Sequence, residues 1–420
     1  MNGNRDRWAS IASRSLAAGC ALLIGQSIVS PGAVLGQPPR QLNAPASPIA
    51  ALPGEAEQKV GVSDTEVTIG SCAALTGQLK ERGALVVSGG NLYFNYINGQ
   101  GGVNGRKIKL VSCDDKYSGE GAEECFYSCL KGKVFCGTLF EGSPQAARYV
   151  PKSEQAHMPM VGFSSGAEFI IKPVHRYVFQ VRAPYVDEAA KQIDTLSNTL
   201  GLHKIAVVYQ TDAYGAAVHE ALNQALKANN ATAVADIQLE RLTHNIEPAI
   251  KKLKAAEPDA VILGVTGDTL PLLVQAGKQI GPHVQLIGFS NGADLVTKEA
   301  GKEADGMLIT QVIPLLGSNA PTVQLYHKLL RQSGTSESTF SGFEGFLIAM
   351  TVVEGLKRSG KDLTRDGFVK ALESIKDFDI GLGPKALLSF SAGSHCGLRS
   401  SVYWTAVQDG KVVLWSPKKK

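Results

Sequence analysis

A chain of 420 residues, 44% hydrophobic and 19% charged, has the makeup of a soluble globular protein and exceeds one ordinary core, so about two domains are expected. Its formal net charge is only +4, much of it supplied by Lys418, Lys419 and Lys420 at the extreme end, which excludes a basic nucleic-acid or membrane face.

The amino end carries Arg5, Arg7 and Arg14, then an apolar stretch from Leu16 to Val29, then small residues around Val34-Leu35-Gly36. This is the layout of a secretory signal peptide over residues 1–36, so an exported, periplasmic or otherwise extracytoplasmic protein is expected. Leu16-Ala-Ala-Gly-Cys20 also has the shape of a lipoprotein cleavage box. Arg14 leaves a short apolar run before it and the run continues after it, so lipid anchoring through Cys20 ranks second. Residues 37–59, rich in Pro and Ala, read as a linker. No later segment offers the about 18 apolar residues that span a bilayer.

Alternation of strand and helix patterns begins at Glu66. Strands are predicted at 67–72, 107–113, 134–139 and 158–161, with helices at 83–97, 119–130 and 145–155 between them. A second series repeats the order, with strands at 204–209, 233–239, 260–263 and 284–287 and helices at 215–229, 246–256 and 269–280. A third stretch adds a strand at 307–312, helices at 321–333, 344–358 and 365–375, and closing strands at 402–407 and 412–415. Such a pattern argues an α/β protein of two Rossmann-like lobes, each a parallel sheet covered by helices.

Two segments mark where the lobes meet. Gly162-Phe-Ser-Ser-Gly-Ala167 returns, changed at one position, as Gly288-Phe-Ser-Asn-Gly-Ala293, each after an apolar run, Met158–Val161 and Val284–Ile287. Both read as turns at the carboxyl ends of strands, where open α/β sheets place ligands. The spelling Gly-x-Ser-x-Gly also belongs to the nucleophile elbow of serine hydrolases. Against that, it occurs twice, no His-Gly-Gly run supplies an oxyanion hole, and the eight histidines are scattered. The glycine-rich Asn98–Lys107 run ends a helix and enters a strand, the reverse of a dinucleotide loop, so its glycines serve capping and turning.

Without Cys20, the cysteines are Cys72, Cys113, Cys125, Cys129, Cys136 and Cys396, an even set in an oxidising compartment. Cys125 and Cys129 lie four apart on one helix face and are poorly placed to bond each other, so partners on neighbouring strands such as Cys113 or Cys136 are expected. A zinc site is the weaker reading because no Cys-x-x-Cys pair occurs, and neither metal nor cofactor is expected.

Over roughly Val60 to Val413 the chain resembles the branched-chain amino-acid binding (Leu/Ile/Val-binding-like) family, the type I periplasmic solute-binding proteins of ABC transporters. The resemblance rests on Leu75-Thr-Gly77, Gly101-Gly-Val-Asn-Gly-Arg-Lys-Ile108, Cys113-Asp-Asp115, Asp212-Ala-Tyr-Gly215, Pro258-Asp-Ala-Val-Ile262 and Gly306-Met-Leu-Ile-Thr-Gln-Val-Ile-Pro314, in the family's order. It implies two lobes joined by a hinge and closing on a small ligand. It places crossings near Val181 to Pro184, Thr310 to Pro314 and Gly397 to Ser401, and so a first lobe of 60–182 plus 313–398 and a second of 183–312 plus 399–420. It implies no catalysis, no nucleic-acid partner, a monomer, and delivery of an amino acid or related carboxylate to a permease. A sensor module of the same fold is the alternative to transport.

The resemblance also implies the site. The ligand carboxylate would meet Glu141-Gly142-Ser143 after the third strand and Ser164-Ser165-Gly166 after the fourth, where helix amino ends offer unpaired N–H groups. Ser143 reads equally as the cap of its own helix. Tyr214 would contact the ligand or pack at the hinge side; Thr266 stands where the family often has an aromatic; Asp268 faces the cleft or only begins a helix. Arg82 replaces a tyrosine of some relatives and offers a donor fork for an acidic ligand, or is exposed. Phe343 lines an apolar pocket or the core. Ser290 replaces the glutamate that pairs with a ligand ammonium, so deaminated acids are expected to bind at least as well as leucine or valine unless Glu141 or Asp268 replaces that carboxylate.

Overall fold

The computed structural model describes residues 54–417 except 336, 385 and 400. The expected signal peptide, Cys20, Lys418–Lys420 and most of the linker lie outside the described residues. At the linker's end, residues 55–58 form a short helix rather than irregular chain. There Gln58 exchanges hydrogen bonds of 3.1 and 2.9 Å with the side chain and backbone N–H of Asp366.

The first sheet contains β1 (Glu66–Ala73), β2 (Lys107–Asp114), β3 (Gly137–Glu141), β4 (Met160–Ser164) and β5 (Val178–Phe179). The second contains β6 (Ile205–Gln210), β7 (Ala235–Leu239), β8 (Ala260–Gly264), β9 (Gln285–Gly288) and β10 (Leu308–Gln311). After a short hairpin, β11 (Phe378–Asp379) with β12 (Leu387–Leu388), the chain adds β13 (Tyr403–Gln408) and β14 (Lys411–Leu414) to the second sheet.

The strand orders are β2-β1-β3-β4-β5 and β7-β6-β8-β9-β10, with β13 and β14 continuing antiparallel from β10. The five strands of each lobe pair in parallel. The central strands β3, β4 and β8 are buried along their whole length, as strands covered by helices on both faces must be, while the edge strands β2 and β7 are partly exposed. The two lobes therefore repeat one winding, and each reverses direction at its first strand. The crevice beyond the carboxyl ends of the strands at that reversal is the ligand position of open α/β sheets.

Three helices after β10 return to cover the first sheet. The longest, Phe340–Ser359, packs on Lys80–Gly99 so closely that a Cβ on Gly89 would lie 1.8 Å from the carbonyl oxygen of Gly342. Glycine is what permits the backbones to touch there.

Most expected elements are present within a few residues; β5, β11, β12 and the helix Ala293–Glu299 are additions, and four further differences stand out. β3 starts at Gly137 instead of 134. The expected 269–280 helix is divided into Thr269–Gln275 and Gly277–Ile280. Gly162-Phe163-Ser164, expected in a turn, still belong to β4, and the turn begins at Ser165. A helix at Tyr185–Asp194, predicted from nothing in the sequence, opens the second lobe.

The disulfides are Cys72–Cys125 and Cys113–Cys129. Cys72 and Cys113 are register partners on β1 and β2, and the two helical cysteines one turn apart reach one strand each. Cys136, offered as a partner, is free and buried, as is Cys396. No helix among the described residues is long and apolar enough to cross a membrane.

Candidate functional site

The carboxyl ends of β3 and β4 are kinked together. Leu139 has φ +57° and Gly162 φ +80°, and the pair drops out of the β3–β4 ladder, which resumes at Phe140–Phe163 and Glu141–Ser164. Glu141 and Ser164 thereby stand side by side at the crevice, both buried.

Helix Ser143–Gln155 starts here. Its N-cap is Gly142, at φ 94°, and no side chain caps it. Ser143 is the first helical residue, and its hydroxyl is bonded at 2.7 Å to that of Ser165 instead of serving as a cap. Proline at the second position has no N–H, so the uncapped end leaves the backbone N–H groups of the buried Ser143 and Gln145 as its orphan donors. A Cβ at Gly142 would meet Gln145 Oε1 at 2.3 Å and the Tyr117 ring at 2.5 Å, and one at Gly166 would meet the Tyr185 ring at 2.7 Å.

Arg82 ties the two lobes across this floor. Its Nη2 donates to Ser164 Oγ at 2.6 Å, and its Nη1 donates to the backbone carbonyl of Asn291 at 2.9 Å and to Ser341 Oγ at 3.0 Å. The duplicated segments are thus bridged by one guanidinium. Tyr214, buried at the start of helix Ala213–Ala228, donates its hydroxyl to Asn291 Oδ1 at 3.1 Å and packs edge-on against Tyr185.

Behind Arg82 runs a chain of alternating charges. Arg82 faces Glu141 at 3.5 Å and Glu344 at 3.6 Å; Glu344 faces Arg182 at 3.5 Å; Arg182 faces Glu188 at 2.7 Å. Ser164 Oγ also donates to Glu344 at 2.9 Å. All are buried except Arg82, which is partly so. In such surroundings ions persist only when paired and hydrogen-bonded. Burial pushes Glu141 up to about 8; Arg82 opposes this, while Asp115 and Glu344 add to it.

Of the residues named from sequence, Arg82, Thr266 and Asp268 line a cavity of about 650 Å³ between the lobes, together with Gln78, Leu79 and Asn291. Asp268 is paired with His244 at 2.9 Å, and the buried Thr266 donates its backbone N–H to Gln210 Oε1 at 2.9 Å. Glu141, Gly142, Ser143, Ser164, Ser165 and Gly166 meet at the ends of β3 and β4 as described. Ser290 is at the end of β9, engaged by Arg182 and Glu188. Phe343 is elsewhere: fully buried, it stacks among Tyr326 and Phe346 in the core.

Arg182, Glu188 and Glu344 were not foreseen. The helix carrying Glu188 buries Tyr185, Glu188, Ala189, Gln192 and Ile193, a helical period hidden in sequence because two members of its buried stripe are polar.

A model of the family described as "Periplasmic binding protein" matches residues 66–411. The chain belongs to this family. The periplasmic binding protein is 25% identical, over 386 residues, to Leu/Ile/Val-binding protein homolog 7 of Brucella suis biovar 1, covering 84% of this chain and 92% of that one. Its fold is that of a possible leucine/isoleucine/valine-binding protein from Rhodopirellula baltica, with a TM-score of 0.79, 22% identity, and coverage of 85% and 98% of the two chains. It is likewise that of a solute-binding protein of an ABC transporter from R. palustris in complex with benzoate, with a TM-score of 0.73, 19% identity, and coverage of 83% and 95%.

Proposed function

We propose that this periplasmic binding protein works outside the cytoplasmic membrane, captures a small amino acid or related carboxylate between its lobes, and hands it to the permease of an ABC importer. In this reading residues 60–182 with 313–398 form one jaw, 183–312 with 399–420 the other, and the protein acts as a monomer without metal or cofactor. One observation carries the ligand class: an uncapped helix amino end flanked by the Ser143–Ser165 hydroxyl pair, next to a guanidinium that spans both lobes. Unpaired N–H groups at a helix start favour an anion by about 0.3–1 kcal/mol per favourable contact beyond their hydrogen bonds. For a ligand of about nine heavy atoms, micromolar affinity is about 8 kcal/mol, well under the ceiling of about 1.5 kcal/mol per atom.

The hydrolase reading finds no support. Ser164 Oγ accepts from Arg82 and donates to Glu344, and among the described residues no histidine is hydrogen-bonded to it. The names of the relatives support the amino-acid side of the proposal, and the benzoate complex supports the simple-acid side.

A thermal-shift panel of amino acids, aromatic acids and dicarboxylates tests the reading. A ligand at one hundred times its dissociation constant stabilises the native state by about 2.7 kcal/mol, a rise of several degrees. If nothing in the panel shifts the transition, or if esters are turned over in a manner abolished by Ser164→Ala, the reading is wrong.

A further inference from the structure

Among the described residues, every buried carboxylate oxygen at the crevice is matched to donors except one. Glu188 accepts from Arg182 and the Ser290 hydroxyl on Oε1, and from the Ser290 N–H and Thr310 on Oε2. Glu344 takes Arg182 on one oxygen and Ser164 on the other. Asp115 takes the Tyr117 N–H and the Tyr149 hydroxyl. Asp212 takes the N–H groups of Tyr214 and Gly215, and Gln210. Glu141 meets only Arg82, through Oε1; its Oε2 is buried without a partner. Beside it Gln145, itself fully buried, leaves both amide atoms unpartnered.

Charge points the same way. The chain Glu141, Arg82, Glu344, Arg182, Glu188 has one acid in surplus when all its members are ionised. A cationic group set against Glu141 pairs that surplus acid locally, provided any anionic group that comes with it is held elsewhere. A buried acceptor left without a donor costs about 1–3 kcal/mol, more when it is charged, so native structures keep few of them without a use.

We propose that Glu141 is the carboxylate that receives the ammonium group of an amino-acid ligand, taking the place of the glutamate absent at Ser290, while the open helix end at Ser143 receives the ligand carboxylate. This rests on the function proposed above and commits it to zwitterions over simple acids. Glu188 cannot fill the role, because all its acceptor directions are taken. Besides Arg82, Glu141 is faced by Asp115, Glu344 and the Tyr117 ring. As it binds a cation, a protonated Glu141 releases its proton to solvent, so capture of a zwitterion near neutral pH is accompanied by proton release and capture of a simple acid is not.

The test is calorimetry with L-valine and 3-methylbutanoate, which differ only by the amino group, at pH 7 in two buffers of different ionisation enthalpy. The wild type should prefer L-valine by at least tenfold and release a proton on binding it. Glu141→Gln should lose that preference and the proton release, and Glu141→Asp should recover part of both. Equal affinity for the two probes in the wild type, or an unchanged valine preference in Glu141→Gln, overturns the assignment to Glu141 while leaving the broader function standing. If neither probe nor any other member of the panel binds the wild type, the broader function falls, and this assignment with it.

Discussion

Glu188 accepts the backbone N–H and the hydroxyl of Ser290 at 2.9 Å each, so the serine that stands where the resemblance implies a glutamate is itself held by a glutamate from another helix. That carboxylate is saturated by Arg182 and Thr310 as well. Restoring an acid with Ser290→Glu would put a second carboxylate against Glu188 in a site with no cation to spare. Repulsion and desolvation should lower the melting temperature by several degrees, with no gain in amino-acid affinity. Ser290→Ala, which removes one hydroxyl and keeps the backbone N–H, should cost about 1 kcal/mol in urea unfolding. Glu188→Ala leaves Arg182 with Glu344 as its remaining carboxylate partner, and breaking such a buried pair costs about 3–5 kcal/mol. An Ala variant at 188 milder than the one at 290 would contradict this ordering.

A second tie between the lobes is a cap supplied from outside its own helix. Asp294, on the helix Ala293–Glu299 of the second lobe, accepts the N–H groups of Phe340 at 2.9 Å and Ser341 at 2.8 Å. These begin the long helix that covers the first sheet, whose own cap Thr339 takes the N–H of Gly342. Nearby, Lys298 is paired with Glu81. Asp294→Ala should cost about 0.5–2 kcal/mol, as cap deletions do. Because this cap joins lobes, the ligand-free protein should also gain radius of gyration in X-ray scattering, and Glu81→Ala should do so less because its pair is exposed. Unchanged scattering by the Asp294 variant would place the contact among those that hold either lobe arrangement.

Two buried acids set a pH trend in stability. Burial lifts Asp115 to about 7, against hydrogen bonds from Tyr117 and Tyr149 that lower it, and lifts Glu141 to about 8. In the unfolded chain both ionise near pH 4. Between those values the native state holds more protons than the unfolded state, so stability falls as pH rises from about 4 toward 8. Their contribution is fully present below the unfolded values and is lost once the folded values are passed. Glu141→Gln and Asp115→Asn should flatten the decline in melting temperature between pH 5 and about 8. A wild-type profile rising over that window would contradict the burial argument.

The strand-helix alternation, the doubling of the lobes and the strand-end positions of Glu141, Ser143, Ser164 and Ser290 were all legible, because apolar runs and turn residues report local structure directly. The partners of those residues were not. Arg182 lies in a connection read only as a lobe crossing, and Glu188 faces it from a helix whose buried stripe includes charge. Glu344 sits 180 residues from the Ser164 it binds. A buried ion network joins distant segments, and periodicity within any one of them carries no trace of it. Phe343, left open between an apolar pocket and the core, takes the second place: it turns inward on a helix that packs on Lys80–Gly99.

The cysteine network makes a chemical prediction. Cys72–Cys125 and Cys113–Cys129 close loops of 53 and 16 residues, worth about 4 and 3 kcal/mol by chain entropy. Reductant should therefore lower the transition markedly, and alkylation of the native oxidised protein should label neither Cys136 nor Cys396, both buried and with thiols pushed up to about 12 by that burial. Peptide mapping should recover the two stated pairs. Recovery of a Cys113–Cys136 peptide would contradict the helix-to-strand pairing.

Gly162 carries the last prediction, because the kink that aims Glu141 and Ser164 depends on it. The residue sits at φ +80° inside β4, and a Cβ there would come within 2.3 Å of the Ile348 side chain on the helix above. Alanine faces two penalties, about 1–2 kcal/mol for the left-handed backbone and about 1–3 kcal/mol for the crowding. Gly162→Ala should thus be destabilised, and shortening the neighbour with Ile348→Val should return only part of the loss, since the backbone term remains. The signature of the kink is functional: at temperatures where the variant is fully folded, ligand affinity should fall because β4 no longer holds Ser164 beside Glu141. A folded Gly162→Ala protein with wild-type affinity would separate the kink from the site.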